Sequence, residues 1–117
     1  SDGGARAAKL SVAENNLEQA RRTLQSIAEN AAGALRRLQE RASSITKIIE
    51  LAEQKLPILV DQLRVAETQI QTGQADISKV FGIKLQTNQL ESRIRRGKAD
   101  LMRTKFELAA ALGLFSN

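Results

Sequence analysis

The chain has 117 residues, a formal net charge of +5, and 42% hydrophobic and 26% charged residues, a composition that excludes a disordered chain. It contains no His and no Cys, so the common zinc ligands, the usual neutral-pH base and a thiol nucleophile are all missing. We therefore expect no enzyme activity, no cofactor and no metal site. With only three aromatic residues, narrow helix–helix seams are expected in place of a thick core.

The first predicted element is one very long helix, from about residue 5 to about residue 72. Its apolar residues recur in two heptad series three or four residues apart, which places both series on one helical face. At 1.5 Å per residue such a helix is roughly 100 Å long. Pro57 predicts a kink rather than an end, because the heptad pattern continues beyond it. The first series is Leu10, Leu17, Leu24, Ala31, Leu38, Ile45, Ala52 and Leu59, and the second is Ala28, Leu35, Ala42, Ile49, Leu56, Leu63 and Ile70.

A turn over residues 73–76 is predicted to end this helix. Gly73 can adopt the left-handed conformation that closes a helix, and Asp76 can cap a second helix that starts at Ile77. Because so few residues separate the helices, the second must run antiparallel to the first. The segment Thr72, Gly73, Gln74, Ala75, Asp76 and Ile77 is the candidate contact site for another protein; the alternative is that it merely builds a tight turn.

The second predicted helix spans about residues 77–112 and has its own apolar seam. Gly97 lies on that seam, which favours close approach by the first helix, and Gly82 is read as either a surface glycine or a second close approach. The fold class is therefore all-α, an elongated antiparallel helical hairpin that resembles a coiled coil. The seam residues that should hold it together are Leu59, Leu63, Ile70, Val80, Ile83, Leu90, Ile94, Gly97, Leu101 and Leu108.

The second helix is too short to cover the whole first helix. Residues 5 to about 35 should therefore display an apolar stripe without a partner in the hairpin, and stripes of that size mark interaction surfaces. This pattern indicates either self-association or membership of a larger assembly. We also note the absence of any apolar run near the roughly 20 residues that span a bilayer, and of a secretory signal, so an exported parent protein would contain this chain as a fragment.

Charged and hydroxyl residues on the two helices are the other candidates for a functional role. The basic residues Arg93, Arg95, Arg96, Lys98, Arg103 and Lys105 spread around the second helix, which favours a solvated surface over a nucleic-acid or duct-lining role. Glu50 with Glu53, and Ser43 and Ser44 near Lys47, have spacings common on helix surfaces, and a lone hairpin offers no cleft to shift their pKa values.

Three motifs together resemble the outer-membrane efflux channels of the TolC type. Asp2-Gly3-Gly4 resembles the point where a barrel strand leads into a long periplasmic helix, and residues 70–81 resemble the hairpin tip of that family. Leu108-Ala109-Ala110-Ala111-Leu112-Gly113 resembles the end of the family's last long helix. The order and spacing of the motifs match over essentially the whole chain, although Ser78, Lys79 and Gly82 depart from the family's usual residues.

The resemblance implies a structural role. Channels of this type are homotrimers with an outer-membrane β-barrel and a periplasmic α-barrel, and their helical tips dock with a periplasmic adaptor protein. The chain would then be the second-repeat periplasmic hairpin of a Gram-negative outer-membrane protein. Its expected partners are the other helices of the trimer and the adaptor, with no nucleic acid, and with membrane contact only through other parts of the parent chain. The runner-up is an autonomous coiled-coil interaction module, and a basic nucleic-acid-binding protein is weaker still.

Overall fold

The computed structural model describes residues 2–74 and 76–113, and all of its regular structure is helical. Helix α1 runs from Asp2 to Gln71 and helix α2 from Ile77 to Gly113. No strand occurs among the described residues. The prediction of an all-α helical hairpin is confirmed, with α1 beginning three residues before the predicted start.

Helix α1 continues without interruption through Pro57, so a break at that proline is excluded. Pro57 is exposed to solvent. Its missing N–H still leaves the carbonyl of Glu53 without its regular backbone partner. A kink at this position stays a prediction.

The chain divides into two compact units, Ser1–Arg37 and Leu38–Asn117. The described part of the first unit consists of α1 residues, and from residue 2 to residue 30 these are exposed apart from half-buried Glu18. Ion pairs of Glu18 with Arg21 (2.6 Å) and Arg22 (3.8 Å) lie along this segment. Because the three side chains keep 45–64% of their surface in solvent, such pairs support a helix only modestly.

The second unit is the hairpin, in which the later part of α1 and all of α2 lie side by side. Its centre is a cluster of Ala52, Leu59, Leu90 and Ile94, with Leu56 packed against it. Every buried residue of this unit falls on the apolar seams of the two helices, at alternating spacings of three and four. These residues are Ile45, Ile49, Ala52, Leu59, Ala66, Val80, Thr87, Leu90, Ile94 and Thr104.

Two threonines are buried in this otherwise apolar seam. Thr87 donates its hydroxyl to the carbonyl of Ile83 at 2.9 Å, and Thr104 donates to the carbonyl of Asp100 at 2.8 Å. Because each hydroxyl is satisfied within its own helix, neither leaves a buried polar group without a partner. The seam therefore accepts them without a polar network between the helices.

Candidate functional site: the hairpin turn and its packing surfaces

The turn is built by a hydrogen-bonded helix end that requires glycine. Gly73 has a φ of 75°, and it is preceded by the last residues of α1. The amide of Gln74 donates to the carbonyl of Gln69 (2.7 Å), and the amide of Gly73 donates to the carbonyl of Ile70 (3.0 Å). This pair of bonds is the Schellman motif, which satisfies the last carbonyls of a helix and turns the chain away. The predicted left-handed conformation at Gly73 is confirmed.

Asp76 caps the second helix, as its position before Ile77 predicted. Its Oδ1 accepts a hydrogen bond from the amide of Ser78 at 2.6 Å and another from the Ser78 hydroxyl. Both hydrogen bonds lower the pKa of Asp76 below its ordinary value, and the bond from the Ser78 hydroxyl has the larger effect. The negative charge is thus held at the positive end of the α2 dipole.

The described residues of the candidate contact site at the turn are exposed to solvent. Thr72, Gly73, Gln74, Asp76 and Ile77 are all exposed, whereas Ala75 lies outside the described residues. Ile77 keeps 62% of its surface in solvent. The described part of the turn therefore combines hydrogen-bonded helix ends with one apolar side chain presented to solvent.

Two further apolar residues extend this exposed surface along α2. Phe81 and Leu85 are 63% and 58% exposed, and with Ile77 they recur every four residues on the solvent-exposed surface of α2. Leu85 was missed by sequence reasoning, which followed only the buried seam. The signal was present, because the spacing of Ile77, Phe81 and Leu85 marks a second face of the helix.

The ten predicted seam residues are all buried or half-buried. Gly97 shows how close the helices come, because a Cβ built on it would lie 3.0 Å from Cγ1 of Ile49. At Gly82 a Cβ would meet nothing within 4 Å, so that glycine is a surface residue. Of the ten seam residues, Leu59, Val80, Leu90 and Ile94 are buried, and Leu63, Ile70, Ile83, Gly97, Leu101 and Leu108 are half-buried.

Three ion pairs join the helices on either side of the seam. Lys98 lies 3.3 Å from Glu53 and Lys84 lies 3.9 Å from Glu67, both at the heptad position that follows d, called e. Arg41 pairs with Asp100 at 2.8 Å, and both occupy the position that precedes a, called g. Pairing of e with e and of g with g is what an antiparallel coiled coil requires, since reversing one helix brings like positions together.

A separate apolar face lies on the first unit. Leu10, Leu17 and Leu24, seven residues apart, are 60%, 72% and 68% exposed, and Ile27 beside them is 59% exposed. Exposed apolar side chains in such a regular row are unusual on a helix surface that meets only water. The predicted display of an apolar stripe by residues 5 to about 35 is found over residues 10–27, while Ala31, Gly33, Ala34 and Leu35 are buried or half-buried.

The basic residues of α2 are exposed, as expected for a solvated surface. These residues lie on different sides of the seam between the helices. Arg93, Arg96 and Arg103 line one concavity, whereas Lys98 pairs with Glu53 on the other side. The acidic and hydroxyl residues weighed for catalysis are also on open helix surface: Glu50, Glu53, Ser43, Ser44 and Lys47. Within the described ranges no group of three or more His, Cys, Asp or Glu residues could hold a metal ion.

Neither described helix has a stretch long and apolar enough to cross a membrane. Comparison of the chain with protein-family models, with curated protein sequences and with solved structures found no significant match.

Proposed function

We propose that the chain is a structural helix-packing segment of an outer-membrane export channel of the TolC type, as its resemblance to that family implies. In this role it forms one stave of the periplasmic α-barrel wall of a trimer. Its turn, residues 72–77, is the part that meets a periplasmic adaptor protein. The chain is then one segment of a longer polypeptide on the periplasmic side of a Gram-negative outer membrane.

The observation that carries the proposal is the apolar face of residues 10–27. Three leucines on this face are 60–72% exposed, although a helix in water would expose polar residues there. A stave needs such a face, because other helices of the barrel cover it. The turn supports the proposal further, since both helix ends are capped there and its described residues are exposed to solvent.

Envelope fractionation of the source cells tests the channel role. An antibody raised against residues 38–113 is used to probe the cytosolic, periplasmic, inner-membrane and outer-membrane fractions, each checked with a marker protein. The expected result is an outer-membrane signal on a polypeptide much longer than 117 residues. A cytosolic signal at the 12.8 kDa of this chain would overturn the proposal.

A second candidate is an autonomous coiled-coil interaction module. The observation that favours it is that three ion pairs join the two helices of the hairpin to each other, on either side of their seam. Sedimentation of the purified chain separates the two candidates. A module forms one defined oligomer through the face of residues 10–27, whereas a channel stave without its neighbouring helices associates into mixed sizes.

A further inference from the structure

The two sides of the hairpin seam differ in how their charges are balanced. On the e side, Lys98 and Lys84 are matched by Glu53 and Glu67 across the seam. On the g side, the described acidic residues of α2 are Asp100, which Arg41 already pairs with at 2.8 Å, and Glu107, which lies one heptad further along and does not line these depressions. The cations left over on that side are Lys55, Lys79, Arg93, Arg96 and Arg103. The hairpin therefore carries a one-sided excess of positive charge.

The g side is also concave along most of its length. A cavity of about 480 Å³ has Ile45 and Ile48 on its floor and three arginines at its rim. It is followed by one of about 210 Å³ at Leu51 and Lys55, and by one of about 360 Å³ at Val65 and Lys79. These open depressions follow one another along the same side of the hairpin, and we call this row of depressions the basic groove. Its apolar floor is solvent-exposed, since Ile48, Leu51 and Val65 keep 50%, 66% and 49% of their surface in water.

The dimensions of the basic groove fit a third helix. From Ile45 to Ala66 the groove follows α1 for about 30 Å at the helical rise per residue. A groove between two helices that lie side by side can hold the side-chain ridge of a third helix along its length. The row of Ile48, Leu51 and Val65 would bury against an apolar stripe of that helix, and the arginine and lysine side chains would flank it.

We propose that the basic groove binds an acidic amphipathic helix of a partner protein, with carboxylates on both edges of a Leu- or Ala-rich face. Arginine favours this partner because its planar guanidinium donates two parallel hydrogen bonds to one carboxylate. The apolar floor favours a helix over a nucleic acid, whose backbone would leave Leu51 and Val65 in contact with charge, and no aromatic side chain lines the described groove to stack on bases. The inference rests on the helix-packing role alone and holds for a channel stave or a coiled-coil module.

Binding of two designed helical peptides to the full chain tests the inference. Both peptides carry the same Leu/Ala face; one has Glu at its edges and the other has Gln at the same positions. We expect the Glu peptide to bind, measured by fluorescence anisotropy, and the Gln peptide to bind at least about tenfold more weakly, since several ion pairs at a partly dry rim are lost. Added salt should weaken the Glu peptide only.

The chain offers matched variants that remove equal charge from opposite sides of α2. Arg93→Gln with Arg96→Gln should weaken the Glu peptide about tenfold, whereas Arg95→Gln with Lys105→Gln should change its affinity by less than about twofold. Leu51→Ser should also weaken it, because Leu51 is on the apolar floor. All of these side chains are exposed, so circular dichroism should show unchanged helix content in each variant.

Three results would overturn the inference. Equal weakening by the two charge-matched pairs would mean non-specific attraction to a basic helix. Insensitivity to Leu51→Ser would mean that the floor is not covered. Tighter binding of a single-stranded oligonucleotide or of anionic phospholipid vesicles, lost in the Arg93/Arg96 variant, would assign the groove to that other class of partner. None of these results bears on envelope location, so the channel proposal is tested separately.

Discussion

Gly97 and Gly82 lie in the same helix but differ in what an added methyl group would meet. At Gly97 the added Cβ would lie 3.0 Å from the buried Ile49 side chain, and at Gly82 it would lie in open space. Overpacking of a seam typically costs about 1–3 kcal/mol, and the gain in helix propensity from Gly to Ala is about 1 kcal/mol. Gly97→Ala should therefore lower the free energy of unfolding by about 1 kcal/mol.

Gly82→Ala is the matched control for that substitution. It brings the same gain in helix propensity without a steric contact, so it should raise the free energy of unfolding by about 0.5–1 kcal/mol. Urea denaturation followed by circular dichroism measures both. If the two variants shift stability by the same amount in the same direction, the two helices do not approach closely at Gly97.

The cap at Asp76 predicts a specific response to acid. Hydrogen bonds from the hydroxyl and then the amide of Ser78 lower the pKa of Asp76 in the folded chain. A lowered folded pKa means that the ionised cap stabilises the fold above the unfolded pKa of about 4, and that this contribution is lost as the pH falls through the lowered value. The chain should therefore lose stability at the turn below about pH 4.

Asp76→Asn isolates that response, because an asparagine oxygen can cap the helix but does not titrate. Thermal unfolding of both proteins is followed from neutral pH into acid. The difference in stability between wild type and Asp76→Asn should be constant at neutral pH and should shrink in acid. A difference that grows as the pH falls would contradict the assigned role of the carboxylate.

Individual residues differed in how well sequence could place them. Gly73 and Asp76 were predictable, because helix-end chemistry depends on residues close together in the chain. The grouping of Arg93, Arg96 and Arg103 into one groove was not, since α2 alone shows only that basic residues spread around it. Which of these arginines line a concavity depends on how α2 is aligned against α1. That alignment follows from the structure, in which Ile45 and Ile48 of α1 line the same depression as the three arginines.

At the scale of the element, Pro57 is a residue that α1 tolerates without an evident packing reason. The helix passes through it unbroken and the proline is exposed. Pro57→Ala restores the hydrogen bond to the carbonyl of Glu53 and relieves the contact of the ring with the preceding turn. An interior proline is about 3 kcal/mol less favourable than alanine, so we expect the free energy of unfolding to rise by about 1–3 kcal/mol.

Lys55→Ala, also exposed and in the same turn of α1, is the control for the Pro57 variant, since it changes the side chain without changing the backbone. Its effect should stay within about 0.5 kcal/mol. Denaturant titration measures both. A loss of stability in Pro57→Ala would mean that the seam is built around a kink at residue 57, and that a straighter helix packs less well against α2.

The two helices themselves could be predicted from sequence because heptad periodicity persists over so many turns. The start of α1 was placed three residues late, since Gly3 and Gly4 disfavour helix, yet the helix includes both. The favourable position of the Asp2 carboxylate at the helix N-terminus is a physical reason for the earlier start. Hydrophobic periodicity predicts that a helix is present more reliably than it predicts the residues at which the helix begins and ends.

For the whole molecule, the apolar residues that stabilise the hairpin must be distinguished from those that are available to bind a partner. Leu59 and Leu90 are 4% and 7% exposed in the hairpin core, whereas Leu17 and Leu24 are 72% and 68% exposed. All four continue an apolar heptad pattern, and in the sequence only the shorter length of the second helix marks Leu17 and Leu24 as residues without a partner in the hairpin. The observed burial agrees with that distinction, because Leu59 and Leu90 form part of the hairpin core whereas Leu17 and Leu24 keep most of their surface in solvent.

Leu17→Gln with Leu24→Gln tests that distinction, because glutamine keeps a helix propensity close to that of leucine while removing apolar surface. The free energy of unfolding of the hairpin should change by less than about 0.5 kcal/mol, since no cavity is made. Association at high protein concentration, measured by light scattering, should weaken. Leu59→Ala is the opposite case: it should cost about 2–5 kcal/mol and leave the exposed face able to associate. If the double glutamine variant loses stability as Leu59→Ala does, the leucines of residues 10–27 hold the fold, and the face on which the proposed function depends is not an interaction surface.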